Sequence, residues 1–144
     1  MSITLTDEAR QIAALIEAET GATVHDCVVL DQDGTAERVV AVIAAGEVAQ
    51  AIGRNGEQVE RLEDRLGRPL RLVEDAPTAE GFVASALAPA AVYNVTISEA
   101  GDRVAYAEVP EADKGVAIGP DGRTIEAARR LAGRHHDIDD IQLT

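Results

Sequence analysis

The sequence predicts an α+β fold built from two similar units in tandem, each with a three-stranded sheet covered by helices on one face. An internal repeat supports this prediction, because residues 51–56, AIGRNG, recur as residues 117–122, AIGPDG, at an offset of 66. The same offset relates Val59 to Ile125. Around each copy, helical and strand-like patterns of apolar residues follow in one order, α-β-β-α-α-β.

Length and composition indicate where the two units meet. A chain of 144 residues has room for two units of about 70 residues, each near the lower limit for an independent core. Residues 74–80 are polar and include Pro77, so they are the predicted linker. We therefore expect a first domain at residues 1–75 and a second at residues 76–144.

Capping, periodicity and turn residues predict the elements of the first unit. The carboxylates of Asp7 and Glu8 would complement the dipole at the start of a helix. The pair Asp33-Gly34 is typical of a hairpin turn. The predicted elements are, in order, a helix from Thr4 or Thr6 to Gly21, strands at 23–30 and 38–43 joined by a turn at 31–34, a short helix at 47–52, a helix that Gly67 ends, and a strand at 69–74.

The second unit repeats this order. Ile125, Ala128 and Ala132 lie at helical spacing, so they are expected to form the buried face of its last helix. The predicted elements are a helix at 80–87, strands at 91–98 and 103–108, a short helix at 112–118, a helix that Gly133 ends, and a strand near 136–143.

The charge balance is strongly acidic. The chain has 26 Asp and Glu residues against 13 Lys and Arg residues, which gives a formal net charge of −13. Such an excess of carboxylates repels itself at low ionic strength, whereas 1 M salt shortens the Debye length to about 3 Å. We expect a halophilic source with a cytoplasm of very high salt; an acidic domain from a mesophile is the alternative.

Other features limit the class of protein. A hydrophobic fraction of 46% argues against a disordered chain, and no apolar run reaches the roughly 20 residues of a membrane helix. The acidic N-terminal segment lacks the basic residues of a secretory signal. The single cysteine, Cys27, cannot close an intramolecular disulfide. We therefore expect a soluble, cytoplasmic monomer.

The repeated loop has the pattern Ile-Gly-x-x-Gly between two predicted helices, at residues 52–56 and 118–122. With a strand after the second helix, this pattern resembles the type II KH domain, which begins with a helix and ends with a strand. Two such domains in so short a chain resemble the archaeal NusA family, and the resemblance covers essentially the whole chain. It implies binding of single-stranded RNA, the nascent transcript, and a part in transcription termination or elongation control. It also makes RNA polymerase a second candidate partner.

The residue types of the loop suit the KH task of clamping about four nucleotides. Glycine has no Cβ to keep a nucleic-acid backbone away, and the following helix directs N–H groups toward a phosphate. By the resemblance, Ile52 and Ile118 would form the floor of an apolar groove, in which base edges meet backbone groups and aliphatic side chains. The candidate RNA-binding residues are Ile52, Gly53, Arg54, Asn55, Gly56, Lys114, Ile118, Gly119, Pro120, Asp121, Gly122 and Arg123. No cofactor and no metal are expected.

The two loops are predicted to differ in how tightly they bind RNA. Residues 53–74 carry no net charge and residues 112–134 carry +2, whereas the rest of the chain is negative. Arg54 lies within the first loop, while the second loop contains no cation and has Asp121 near the expected path of the phosphates. Lys114 and Arg123, on either side of the second loop, would compensate in part. We expect the first unit to bind RNA more tightly.

Several of these residues also have a purely structural interpretation. The glycines could serve only a tight turn between helices, and the arginines of the helices could pair with glutamates at helical spacing. For Arg61, Arg65 and Arg129 we favour such pairing over contact with RNA. His25 and Cys27 are expected to be buried in a strand rather than to bind a metal.

The remaining aromatic residues and histidines are expected to be structural. His135 and His136 fall between a helix and a strand, where their side chains should diverge, so no metal site is predicted there. Tyr93 and Tyr106 are expected to pack in or beside the core. With three aromatic residues in the chain, we do not expect bases to stack on an aromatic platform.

No enzyme is predicted, because the chain lacks the nucleophile-elbow, P-loop and dinucleotide-binding patterns. The alternative function is a protein–protein adaptor that docks on RNA polymerase through KH folds that do not bind RNA. Acidic residues would then form the docking surface, among them Asp26, Asp31, Asp33 and Glu37.

Overall fold

The computed structural model describes residues 5–32 and 36–144, and the chain divides into two compact units, Met1–Asp75 and Ala76–Thr144. Each unit contains one three-stranded sheet and follows the order helix, strand, strand, helix, helix, strand. The predicted fold class is therefore confirmed. The predicted turn at 31–34 lies partly outside the described residues. Within the described ranges, no helix is long and apolar enough to cross a membrane.

In the first unit, strand β2 lies in the middle of the sheet, antiparallel to β1 and parallel to β3. Three helices cover one face of this sheet, and together they bury a single apolar core. The elements are α1 (Asp7–Thr20), β1 (Val24–Gln32), β2 (Ala36–Ile43), α2 (Val48–Ile52), α3 (Glu57–Leu66) and β3 (Leu70–Glu74).

Helix α1 begins and ends as its sequence predicts. Thr6 is the N-cap, and its Oγ1 accepts a hydrogen bond from the Ala9 N–H at 3.1 Å. Gly21 ends the helix with a φ of 72°, a left-handed conformation that glycine adopts without a steric penalty. Ile12 and Ile16 are buried on the side that faces the sheet.

A β-bulge in β1 changes which side chains face the core. The register between β1 and β2 shifts between Val24 and Asp26, so the alternation of faces is broken at His25. Cys27 is buried as predicted, but His25 is exposed, and its Nδ1 lies 2.6 Å from an Asp75 carboxylate oxygen. The predicted burial of His25 is therefore wrong. Asp26 is fully buried, so it cannot belong to an acidic docking surface, and the side chains of the other three acids proposed for that surface lie outside the described part.

The second unit has the same topology, with β5 between an antiparallel β4 and a parallel β6. Helix α4 begins at the N-cap Thr78, whose Oγ1 accepts from the Gly81 N–H at 3.0 Å, and it packs on α6. The elements are α4 (Ala79–Ala86), β4 (Asn94–Ser98), β5 (Val104–Glu108), α5 (Lys114–Ile118), α6 (Arg123–His136) and β6 (Asp140–Leu143).

Helix α6 continues past Gly133, where the sequence predicted its end. The helix ends instead at Asp137, which adopts a left-handed φ of 56°, and the Ile138 N–H donates back to the Ala132 carbonyl at 3.3 Å. A Cβ on Gly133 would lie 3.3 Å from the Ile138 carbonyl oxygen. Gly133 therefore makes room for the returning chain rather than ending the helix, and β6 starts four residues later than predicted.

The side chains of His135 and His136 do not diverge as predicted. Both lie in the last turn of α6, with ring centroids 5.4 Å and 5.1 Å from that of the buried Phe82. Tyr93 is 70% exposed and precedes β4, so its predicted burial is also wrong, whereas Tyr106 lies half-exposed in β5.

Candidate nucleic-acid interface

Each repeated loop joins a short helix to a longer one through a single turn of 3₁₀ helix, and the two loops have the same backbone. Gly53 and Gly119 have φ values of 79° and 80°. The third loop residue is left-handed in both copies, and the final glycines, Gly56 and Gly122, both have φ of 75° and ψ of 12°. The geometry is thus preserved although the two central residues differ between the loops.

The first glycine of each loop is required by the packing of the protein itself. A Cβ on Gly53 would lie 2.7 Å from Cγ of Gln58, whose side-chain amide donates to the Gln50 carbonyl at 2.7 Å. A Cβ on Gly119 would lie 2.8 Å from the backbone nitrogen of Thr124. Any larger residue would therefore push the longer helix away from the loop.

The second glycine of each loop faces open space. A Cβ on Gly56 or Gly122 would meet no atom of the described residues within 4 Å. Each is also the N-cap of the longer helix, α3 or α6, and provides no side-chain cap for the first turn. The positive end of the helix dipole is therefore presented at a position that another molecule can approach. The N–H groups of the two glycines themselves donate within the 3₁₀ turn, to the Gly53 carbonyl at 3.3 Å and to the Gly119 carbonyl at 3.1 Å. Gly56 and Gly122 therefore have the open surroundings that the predicted role of admitting a nucleic-acid backbone requires.

The cations near the two loops have different surroundings. Arg54 is exposed, and no carboxylate of the described residues lies within ion-pair distance of it. Lys114 Nζ is 2.9 Å from a carboxylate oxygen of Glu111. Arg123 Nη2 is 3.9 Å from an Asp121 oxygen. The two cations expected to compensate the second loop are thus already beside acidic groups.

Some arginines in or after the long helices form ion pairs, but not all with the predicted partners, and Arg61, which was also expected to pair, has no ion pair among the described residues. Arg129 Nη1 lies 2.8 Å from Glu126 of the same helix, as expected. Arg65 instead pairs with Glu19 of α1. Arg68, which follows α3, lies 3.3 Å from Glu8 of α1. These two arginines therefore tie the end of α3 to α1 rather than stabilising α3 along its own surface.

An open cavity of about 390 Å³ lies beside the first loop. Its walls are α3 on one side and the outer edge of β3 on the other, and most of the lining is aliphatic. Burial, and then the nearby charge of Arg38, lower the pKa of Arg71. The lining residues are Ile52, Gly56, Val59, Glu60, Leu70, Arg71 and Leu72.

A cavity of about 510 Å³ occupies the equivalent place beside the second loop. Its lining is more polar than the apolar groove expected from the sequence. Arg129, Asp140 and Gln142 all face it, and Arg129 Nε lies 2.8 Å from Asp140 Oδ1. The full lining is Ile118, Gly122, Ile125, Glu126, Arg129, Asp140, Gln142 and Leu143.

The structure therefore brings Ile52 and Ile118, 38% and 42% exposed, to the cavities beside their loops. Sequence reasoning missed the strand residues of both linings. The repeat could have located the helical ones, since Val59 and Ile125 keep the offset of 66. The last strands do not keep it, because α6 runs one turn longer than α3 and moves β6 along the sequence.

The comparisons with known proteins agree with this architecture. A family model described as "NusA-like second KH domain" matches residues 79–144. "Probable transcription termination protein NusA" of Halobacterium salinarum is 62% identical over 144 residues, which cover 100% of both chains. The protein of the same name from Halococcus morrhuae is 57% identical over 143 residues, 99% of both chains. Both organisms are halophilic archaea, as the acidic composition predicts.

More distant relatives share the full length of the chain. The protein of the same name from Methanococcus vannielii is 30% identical over 144 residues, 99% of this chain and 80% of that one. A solved structure, "Crystal structure of APE1850", superposes with a TM-score of 0.81 at 26% identity, covering 97% of this chain and 100% of that one. With relatives of this identity and coverage, the chain belongs to the archaeal NusA family, and its second unit is a KH domain of the NusA type.

Proposed function

We propose that this chain binds single-stranded RNA, the nascent transcript, through two KH domains at residues 1–75 and 76–144. We propose further that it acts in transcription termination or elongation control in the cytoplasm, with RNA polymerase as a second partner. The names of its relatives support the transcriptional role. Each domain would hold the RNA backbone at its loop and the bases in the adjoining cavity.

One observation carries the proposal: two loops of identical backbone geometry each lie between an uncapped helix start and an open cavity. The helix start would attract a phosphate because the positive end of the helix dipole lies there. Each cavity has a loop isoleucine on one side and the edge strand on the other. A base can therefore lie between Ile52 and β3 in the first domain, and between Ile118 and β6 in the second. KH modules hold about four nucleotides in this way.

The acidic surface is compatible with RNA binding. If each site neutralises about four phosphates, log K falls with log salt at a slope of about −2.8, so a thirtyfold rise in salt costs about four decades of affinity. In a saline cytoplasm the arginines therefore supply little of the binding. Contacts with the loop backbone and the cavity, and the linkage of two domains in one chain, would supply most of it.

The first domain is proposed to bind more tightly than the second. Arg54 is exposed and has no carboxylate beside it in the part of the chain that the structure describes, whereas Lys114 and Arg123 both lie near acidic side chains. Asp121 adds a negative charge to the second loop. The difference between the domains should therefore be largest at low salt and should shrink as salt screens these charges.

Filter binding of a pool of short single-stranded RNAs in molar KCl tests the proposal. The double variant Arg54→Asp/Asn55→Asp places two carboxylates on the first loop at exposed positions. The loop should accept an aspartate at position 55, because Asp121 of the second loop has the same backbone conformation as Asn55. Arg10→Asp/Gln11→Asp is the matched control, since it makes the same chemical change at two exposed residues of α1.

With the assay repeated at low salt, we expect the loop variant to lose most of its RNA retention there and less of it in molar KCl, where its new charges are screened, and the control to keep its retention at both. Equal retention by both variants would contradict a role for the first loop. No retention of RNA by the wild-type chain at any salt concentration would contradict the proposal as a whole and favour the polymerase-docking adaptor.

A further inference from the structure

We infer that the two cavities select bases of opposite hydrogen-bonding character. In the second domain Arg129 covers a carbonyl of the edge strand, whereas the equivalent carbonyl of the first domain remains an acceptor. This inference rests on the proposed RNA binding and assigns a specificity-determining residue to it. The two domains differ at one backbone position on the edge strand, Leu70 in β3 and Ile141 in β6.

These two residues occupy equivalent positions. Val39 of β2 lies opposite Leu70, and Ala105 of β5 lies opposite Ile141. Val39 and Ala105 are themselves 66 residues apart, which is the repeat offset. Leu70 and Ile141 are therefore structurally equivalent. They are more than 66 positions apart in the sequence because α6 is longer than α3.

The backbone of Leu70 points toward the cavity. In a parallel pair, alternate residues direct their N–H and C=O groups at the neighbouring strand. The Val39 N–H donates to the Pro69 carbonyl at 2.9 Å and the Asp75 N–H donates to the Ile43 carbonyl at 2.8 Å, so Leu70 faces the open edge. Its N–H donates to Glu63 Oε2 at 2.8 Å, which leaves its carbonyl oxygen as an acceptor on the cavity side.

The carbonyl of Ile141 is covered instead. Arg129, which is 66 residues after Glu63, donates to it from Nε at 3.3 Å and from Nη2 at 3.1 Å. The Ile141 N–H is satisfied by Asp140 Oδ1 at 2.8 Å, the same oxygen that pairs with Arg129 Nε. The second domain thus has Arg129 where the first has Glu63, and it has Asp140 where the first has Pro69.

The guanidinium of Arg129 still has donors to offer. Its contacts with Ile141, Asp140 and Glu126 use Nε and one N–H each on Nη1 and Nη2, so two of its five N–H groups have no partner among the described residues. About a third of the side chain, 34%, is exposed. At this position of the edge strand, the second cavity therefore presents donors and the first presents an acceptor, although Arg71 also lines the first cavity and Asp140 the second.

Bases differ in the group that would meet this edge. At C4 of the pyrimidines and C6 of the purines, cytosine and adenine have an amino group, which donates to a carbonyl, whereas uracil and guanine have a keto oxygen, which accepts from a guanidinium. The second cavity should therefore favour keto bases and the first should favour amino bases. Uracil and cytosine have nearly the same size, so their comparison isolates the hydrogen-bonding character.

The test compares the affinity of the full chain for oligouridine and for oligocytidine of equal length in molar KCl. Arg129→Met removes the donors but keeps the length of the side chain, and Arg130→Met, at the exposed neighbouring position, is the matched control for charge. The first cavity is the same in all three proteins, so any change in the ratio of the two affinities arises from the second. We expect Arg129→Met to lower the uridine-to-cytidine ratio roughly tenfold and Arg130→Met to leave it unchanged.

A transplant keeps the inference testable if Arg129→Met does not fold. Glu63→Arg/Pro69→Asp builds the arginine and aspartate of the second domain into the first, and should raise the uridine-to-cytidine ratio. RNA binding with a ratio that neither variant changes would overturn the inference and leave the proposed function standing. Failure of the wild-type chain to bind either RNA would instead overturn the proposed function, and this inference with it.

Discussion

Asn55 and Asp121 occupy the same place in the two loops, with φ and ψ of 55° and 27° in one and 54° and 26° in the other. Both residue types tolerate the left-handed conformation that this position requires. An amide in the first loop is thus replaced by a carboxylate of nearly the same size in the second. The geometry is equal, and the charge next to the proposed phosphate path is not.

Placing each of these residues in the other loop should reverse part of the difference in RNA affinity between the loops. Asn55→Asp should weaken RNA binding and Asp121→Asn should strengthen it, because a carboxylate about 6 Å from a phosphate costs about 0.7 kcal/mol in water. The expected effect is about threefold in each direction at low salt and less in molar KCl, where screening is strong. Titration of one RNA from low to molar KCl measures both; effects of the same sign would contradict this account of the loops.

The N-cap of α4 should contribute measurably to stability. Thr78→Ala removes the hydroxyl that accepts from the Gly81 N–H, and loss of such a cap costs about 1 kcal/mol. Urea denaturation in molar KCl gives the free energy of unfolding. Thr144→Ala, at the exposed final residue, is the control and should change it little. Equal values for the two variants would show that the capping bond adds nothing.

Asp137→Gly should stabilise the second domain. Asp137 ends α6 in a left-handed conformation with a φ of 56°, which glycine adopts at lower cost, and its carboxylate lies at the negative end of the helix dipole. We expect the free energy of unfolding to rise by about 0.5–1 kcal/mol. Asp137→Ala removes the charge but keeps the Cβ, so a gain as large in this variant would contradict the conformational explanation.

Cys27 should make the fold sensitive to alkaline pH. Burial, reinforced by the negative charge of Asp26, raises the pKa of the Cys27 thiol from 9.0 to about 12. Below pH 9 the thiol is protonated in both the folded and the unfolded chain. Between pH 9 and 12 only the unfolded chain loses the proton, so stability falls by about 1.4 kcal/mol per pH unit.

The comparison with Cys27→Ala isolates this effect. Between pH 8 and pH 10.5 the wild-type chain should lose about 2 kcal/mol more of its unfolding free energy than the variant does. All other ionisable groups are the same in the two proteins, so their contribution cancels in the difference. Parallel pH profiles would mean that the thiol is not held protonated by the core.

The internal repeat made much of the fold predictable from the sequence. Because residues 51–56 and 117–122 match, each unit supports the assignment of elements in the other. Local capping was also readable: Thr6 and Gly21 limit α1 as expected. These features depend on hydrogen bonds within a few residues, which the sequence specifies directly.

Features set by distant contacts were not predictable. Gly133 has the sequence signature of a helix end, but the approach of the Ile138 backbone determines its role. The bulge that exposes His25 depends on the register with β2. The polar lining of the second cavity depends on Arg129 reaching β6, which a pattern along one helix does not reveal.

The most direct test of the proposed interface is an NMR titration of the ¹⁵N-labelled full chain with a short single-stranded RNA in molar KCl. We expect the largest amide shifts at residues 53–57 at low RNA concentration and at residues 119–123 as the concentration rises. Shifts along β3 and β6 should follow those of the adjoining loops. Saturating shifts confined to surfaces away from both loops, with the loop amides unmoved, would contradict the proposed interface.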